Sequence, residues 1–406
     1  MNYLQFVKSN KYLLLFGFLC VFLGNLGQTF FISLFNKDLI TNLLLEKDNL
    51  SLVYSVATLI SGFTLFFVGA KIDDIPVKKF TTFVVIGLVT ACIIFANSTN
   101  LWMLFIAYLG IRLCGQGLMT HIAVTTLMRY IPNHRGKAVS LALQGMGAGE
   151  IVLPIMAVHL LLNYGHTSSW YLYALVSSLL MFPFMMWCLH KAKLKPIERD
   201  TKGVEDVANN TDWSRKQVMS DWRFWFILPA IIAPAFLITG IFFHQTLLVD
   251  SKGWKIEWLS ITLATYGVIH VVGALVTGPL VDASHPRKFL CWYLLPLILG
   301  VACLWYGESD WWLLAFMILA GTTVATNGPV VNSFYAEVFG STHLGAIRAL
   351  VSAVMIISTG IAPYLFSLFD NINSFLAFAF AYGAVCIVLI QKKILAEKVP
   401  NKSIKY

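Results

Sequence analysis

The sequence predicts an all-α integral membrane protein, with twelve transmembrane helices in two six-helix repeats. Three observations predict it. The 406 residues are 58% apolar and 12% charged, with a mean hydropathy of +0.74, whereas soluble domains carry roughly 25% charged residues. Apolar segments of about 20 residues, the length that crosses hydrocarbon, recur along the whole chain. Residues of the first half also reappear in the second half at one constant offset.

The first half holds apolar segments over 12–36, 51–70, 80–97, 101–129, 137–163 and 169–190. The second holds 222–248, 258–281, 289–306, 311–336, 342–369 and 373–391. Each must be helical, because backbone N–H and C=O groups in lipid need partners within their own segment. Lys8 and Lys11 precede the first, but no small-residue cleavage site follows in "GFLCVFLGNLGQTFFISLF". That segment therefore reads as a membrane helix and not as a removed leader. The one long polar stretch, 191–221, separates an N-terminal bundle over 1–190 from a C-terminal bundle and short tail over 222–406.

Lys and Arg placement sets the expected orientation. Of 29 basic residues, only Lys37, Lys47, Lys252 and Lys255 fall in one set of loops, and Arg112 falls within a span. All the others lie on the opposite side, with both termini, so the termini are expected in the cytoplasm. The net charge of +9 then reads as a topology signal and implies no nucleic-acid partner. The seven cysteines all fall in apolar segments and none forms a Cys-x-x-Cys pair. They read as small apolar residues, with neither a metal site nor a disulfide framework.

The repeat places Gly69 with Gly278, Asp73 with Asp282, Lys78 with Arg287 and Phe80 with Phe289. Trp102 corresponds to Trp311, Gly136 to Gly345 and Pro154 to Pro363. The matches fall at corresponding helix ends without a gap. Parallel six-helix repeats are a transporter architecture.

"GAKIDDIPVKKF" after the second span and "GPLVDASHPRKF" after the eighth are similar to the loop motif of the major facilitator superfamily, which the whole chain resembles. The resemblance implies rocking of two halves around a central site, with no cofactor. It also implies a cytoplasmic gate at Gly69, Asp73, Lys78, Gly278, Asp282 and Arg287, where the carboxylates anchor helix ends. The sequence departs from the motif at Asp74, where Arg is usual, and at Pro76, where Gly is usual. "GQTFFISLF", "RLCGQGLMTH", "RGKAVSLALQGMGAGEIVLP" and "EVFGSTHLGAIRALVSAVMIISTGIAP" resemble bacterial facilitators distantly similar to monocarboxylate and oxalate–formate carriers. That branch implies a carboxylate-type substrate, a monomer and the bacterial inner membrane.

Arg112 and Glu150 are the two full charges deep in the first half. Counted along their helices they lie roughly 16 and 20 Å from the same end. An intramembrane arginine costs about 2.5–3.5 kcal/mol, so charges of opposite sign at similar depth are expected to face each other. In a functional reading Arg112 binds a substrate carboxylate through its planar fork, and Glu150 accepts a proton when the arginine turns away. In a structural reading the pair fixes helix packing, helped by the small residues Gly145, Gly147 and Gly149. Asn25, Gln28, Gln116, Gln144, His270 and Asn327 are lesser substrate-binding candidates, and His121 reads as packing.

The function expected is proton-coupled transport of a small organic anion. Carriers of neutral or cationic compounds, and a transporter-like sensor, are the alternatives. The chain holds no Walker loop, no His-x-x-Glu-His and no Gly-x-Ser-x-Gly, so neither ATP drive nor hydrolysis is indicated.

Overall fold

The computed structural model describes residues 3–194, 213, 215–282, 286–339 and 344–396. Its regular elements are all helical. Among the described residues, eleven stretches are long and apolar enough to cross a membrane. One of them, Pro132–Lys191, has 60 residues, about 90 Å of helix at 1.5 Å per residue. Gly165 breaks it, with φ 77° and ψ 176°, backbone that glycine adopts without a Cβ penalty. The stretch therefore supplies the fifth and sixth crossings, and the total is the twelve that the sequence predicts. The polar 191–221 linker, from residue 195 onward except for 213 and 215–221, and the tail from residue 397 lie outside the described residues.

Several predicted spans depart from regular α-helix, and two of them, the first and the fourth, shape the surroundings of Arg112. The first runs as Tyr3–Gly24, passes through a tight turn over Asn25–Gly27, and resumes after Gln28, whose ψ of 147° is extended backbone. Asn25 explains the interruption. Its Nδ2 donates to the carbonyls of Val21 at 3.2 Å and Phe22 at 3.1 Å. Such side-chain bonds compete with the helix for its own backbone. The fourth span, Leu101–Tyr130, widens into a π-helix over Ile111–Met119. Wide turns of this kind are common at functional sites, and this one contains Arg112.

The chain forms two compact units. The first comprises Met1–Thr201, Thr239–Val268 and Thr359–Leu368, and the second comprises Lys202–Ile238, Ile269–Ser358 and Phe369–Tyr406. Thus ends of the seventh, eighth and eleventh spans group with the first six. Within the first unit the broken helix approaches its neighbours backbone to backbone. A methyl at Gly27 would lie 2.4 Å from the Gln116 amide nitrogen and 2.5 Å from the Ile111 carbonyl oxygen.

The second unit centres on a buried cluster that includes Phe224, Leu228, Leu294, Phe334 and Tyr335. Its helix Trp222–Phe243 contains Pro229 and Pro234. Proline removes the N–H that would bond the carbonyl four residues back. The carbonyl freed by Pro234, that of Ala230, accepts instead from the Tyr293 hydroxyl at 2.6 Å. Exposed apolar residues such as Phe63, Phe66, Phe83 and Leu179 suit lipid and would be a liability in water. The repeat partners Trp102 and Trp311 both stand exposed in first helical turns, as interfacial aromatics do.

Candidate functional site

Arg112 lies in the widened turn of the fourth span and is 3% exposed. One guanidinium nitrogen, Nη1, donates to the Gly27 carbonyl at 3.0 Å and to the Thr29 hydroxyl at 3.4 Å. The plane sits 5.3 Å from the ring centre of Tyr54, a cation–π distance. Its Nε–H has no partner among the described residues. The break in the first helix thus supplies the acceptors. An extended Gln28 leaves the Gly27 carbonyl outside the helical ladder, where it can take the charge.

The facing of Arg112 and Glu150 expected from depth is not formed here. Ion pairs among the described residues include Lys37–Asp250 and Arg129–Asp73, and the hydrogen-bond partners of Arg112 are instead Gly27 and Thr29. Glu150 is also buried, at 5% exposure, but it lies against the eighth span. A methyl at Gly267 would come within 2.8 Å of the Glu150 Cβ. Depth along a helix fixes one coordinate only. Rotation about the axis decides the neighbour, and the wide turn at Ile111–Met119 changes that rotation for Arg112.

Of the lesser candidates, Asn25 is fully buried and also donates to the Gly145 carbonyl of the fifth span at 3.1 Å. Its Oδ1 has no partner among the described residues. Gln28 and Gln116 are half-buried beside the helix break. Gln144 turns back onto the Ser140 carbonyl of its own helix at 3.4 Å. His270 and Asn327 belong to the second unit. There the Asn327 Oδ1 is buried without a partner among the described residues.

Sequence reasoning missed Thr29, Tyr54 and Phe243. The Thr29 hydroxyl meets the Tyr54 hydroxyl at 2.8 Å, and the Tyr54 ring lies 4.5 Å from Phe243 and 5.2 Å from Tyr108. All four are buried. They are neutral residues in apolar runs, and no charge marks them out.

At the loop after the second span, Asp73 pairs with Arg129 at the end of the fourth, and Arg129 Nη1 also donates to the Ile72 carbonyl at 3.2 Å. Gly69 presents its carbonyl to His121 Nε2 at 3.0 Å, so His121 ties the same corner. Lys78 lies exposed in the first turn of the third span. The counterparts Gly278, Asp282 and Arg287 have side-chain positions outside the described residues.

The chain matches the family model described as Major Facilitator Superfamily over residues 14–269 and 256–405. It is 22% identical over 366 residues to an uncharacterized transporter of that type, YcxA of Bacillus subtilis (strain 168), covering 87% of this chain and 86% of the relative. A bacterial homolog of the human lysosomal transporter Spinster, solved inward-facing and unoccupied, superposes with a TM-score of 0.70 at 14% identity, over 94% of each chain. The nucleoside transporter NupG superposes with a TM-score of 0.71 at 14% identity, over 96% of this chain and all of its own. At these identities the structural likenesses carry the fold alone. With the family model matched along nearly its full length and twelve crossings in place, the chain belongs to the Major Facilitator Superfamily and is a multi-pass membrane transporter, not an enzyme.

Proposed function

We propose that the protein is a secondary active transporter of a small carboxylate-type anion, coupled to protons and working by alternating access. The observation that carries this reading is Arg112. It is a buried guanidinium whose acceptors among the described residues are a carbonyl and a hydroxyl, with no carboxylate to neutralise it. A charge at that depth costs about 2.5–3.5 kcal/mol, and neutral acceptors satisfy its hydrogen bonds without cancelling it. An anionic substrate would supply the missing charge through charge-assisted bonds roughly twice as strong as neutral ones. Gln116 follows Arg112 by four residues, and Gln28 lies between Gly27 and Thr29, the two residues that Arg112 bonds, so both are proposed to add polar contacts. Glu150, buried in the fifth span, is the proposed proton acceptor.

Purified protein in proteoliposomes, offered labelled mono- and dicarboxylates under an inward proton gradient, should accumulate at least one of them. Accumulation confined to nucleosides, amino acids or cationic drugs would defeat the anion reading while leaving transport intact.

The gate reading concerns Asp73. Its pairing with Arg129 supports a latch at the loop after the second span, and exposed pairs of this kind contribute roughly 0–1 kcal/mol. Asp73→Asn should therefore leave expression and melting temperature near those of the unaltered protein. Its transport rate should nevertheless fall several-fold. A variant that transports at the full rate would remove Asp73 from the cycle.

We further propose that the protein sits in the bacterial inner membrane as a monomer, with both termini in the cytoplasm. Leu44, 93% exposed between the first and second spans, is then extracellular. Leu44→Cys in a chain without other cysteines should react with an impermeant maleimide on intact cells. Labelling only after cell lysis would invert the orientation.

A further inference from the structure

The first, fourth and sixth spans of the first unit meet around a cleft well away from Arg112. Ser9, Asn10 and Tyr12 line it from the first helix, Tyr130 from the end of the fourth span, and Lys191 and Lys193 from the end of the sixth. Tyr130 lies roughly 27 Å along its span from Arg112, at 1.5 Å per residue. The cavity measures about 360 Å³, inside the range of about 300–1,000 Å³ typical of ligand pockets. Its lining holds two ammonium groups, three hydroxyls and an amide, and among the described residues no carboxylate.

The sixth span closes its last turn with the Ala192 and Lys193 amides on the Cys188 and His190 carbonyls, at 2.9 and 3.3 Å. Lys193 takes φ 47°, left-handed backbone that turns the chain out of the helix. Both lysines are exposed, and like charges on one cleft attract an anion between them. On the opposite wall Asn10 Nδ2 donates to the Phe6 carbonyl at 3.0 Å. Lys11 Nζ lies 5.0 Å from the centre of the Tyr12 ring, which adds positive charge at the rim.

The border of the cleft separates a lipid from a soluble anion. Tyr12 meets Trp187 edge to face with ring centres 5.3 Å apart, and Trp187 stacks on Phe184 at 5.5 Å. Phe184, Trp187 and Lys191 follow one another at three and four residues, a spacing that shares one helix face. Phe184 and Trp187 are 41% and 43% exposed, on a stretch apolar enough to cross a membrane. An apolar strip suited to hydrocarbon thus ends at a cationic, hydroxyl-lined cleft. A soluble anion would use the cleft alone, whereas a phospholipid uses both.

We propose that this cleft binds one anionic phospholipid, with its phosphate between Lys191 and Lys193 and an acyl chain along Trp187 and Phe184. The ammonium groups supply charge-assisted bonds, and the hydroxyls of Ser9, Tyr12 and Tyr130 donate neutral ones. A zwitterionic headgroup brings its own cation to the same two lysines, so net negative charge sets the preference. The bound lipid joins the ends of three spans. None of its contacts involves Arg112 or Glu150, and the site is independent of which substrate is carried.

Native mass spectrometry of the full-length protein, offered dioleoylphosphatidylglycerol or dioleoylphosphatidylcholine in detergent, reads the affinity for each lipid. Phosphatidylglycerol should bind more tightly by about fivefold to 30-fold, the scale of one or two lysines beside an anionic lipid. Lys191→Gln combined with Lys193→Gln should erase that margin and leave the melting temperature without lipid unchanged, because both side chains are exposed. Lys71→Gln combined with Lys79→Gln removes the same charge outside the cleft and should keep the margin. Trp187→Ala should loosen both lipids alike, and inorganic phosphate at the concentration of the lipid should displace neither. Equal affinity for the two lipids would overturn the proposal, as would an equal loss in the Lys71 and Lys79 variant or unchanged affinity in Trp187→Ala. Displacement by inorganic phosphate would overturn it too, by marking a site for a soluble anion.

Discussion

Arg112→Met should abolish uphill substrate uptake, and adding Glu150→Gln should not restore it. Were the two charges an ion pair held for packing, removing one would strand the other at several kcal/mol, and removing both would come near to neutral. The geometry argues otherwise. Arg112 bonds Gly27 and Thr29 and lies over Tyr54, whereas Glu150 packs at Gly267. Each change therefore removes a different function. Truncating one partner of a buried charged contact costs about 2–5 kcal/mol, so uptake by Arg112→Met should fall at least about 30-fold. Glu150→Gln alone mimics a protonated carrier. It should still exchange substrate across the membrane while losing accumulation driven by protons. Counterflow and uphill uptake in proteoliposomes separate the two. Full active transport by the double variant would mean that the charges serve packing in some other state of the cycle.

Gly145→Ala should lower the yield of folded protein sharply, with a destabilisation of about 3 kcal/mol at the upper end of overpacking costs. The added methyl would lie 2.3 Å from the Phe18 carbonyl oxygen and 2.9 Å from the Phe22 amide nitrogen. Those are backbone atoms, so no rotamer change can relieve the clash. Separating the first and fifth spans would also break the Asn25 bond to the Gly145 carbonyl. Gly136→Ala provides the control, because its methyl meets nothing within 4 Å. Alanine also favours helix over glycine by about 0.8–1.0 kcal/mol. Thermal melting in detergent compares them. Equal melting temperatures would show that the two helices yield more readily than their contact implies.

Both predictions turn on where the sequence was readable. The glycines at 145, 147 and 149 gave a local signal, because small residues permit close approach whatever the partner is. The partner, the first span at Phe18, Phe22 and Asn25, was not written in them. The Asp73 motif was likewise legible, but Arg129 looked like one more charge on the basic side of the membrane. Asn25 and Gln28 stood out as polar residues within an apolar run, yet 12–36 still read as one helix. Hydrophobicity measures burial in lipid and says nothing of backbone continuity.

The sequence by itself determined the class, the number of crossings, the repeat and the family. Each follows from quantities counted along the chain: apolar length against the thickness of hydrocarbon, and internal hydrogen bonding as the way to satisfy a backbone in lipid. The tertiary structure alone decided what faces Arg112. That depends on two departures from regular helix, the break at Asn25–Gln28 and the wide turn at Ile111–Met119. It depends also on the close approach of Gly27 to the Gln116 amide. Helical periodicity carries a side chain's direction forward only while the helix stays regular, so at two irregular turns in contact the neighbour is set by packing in three dimensions.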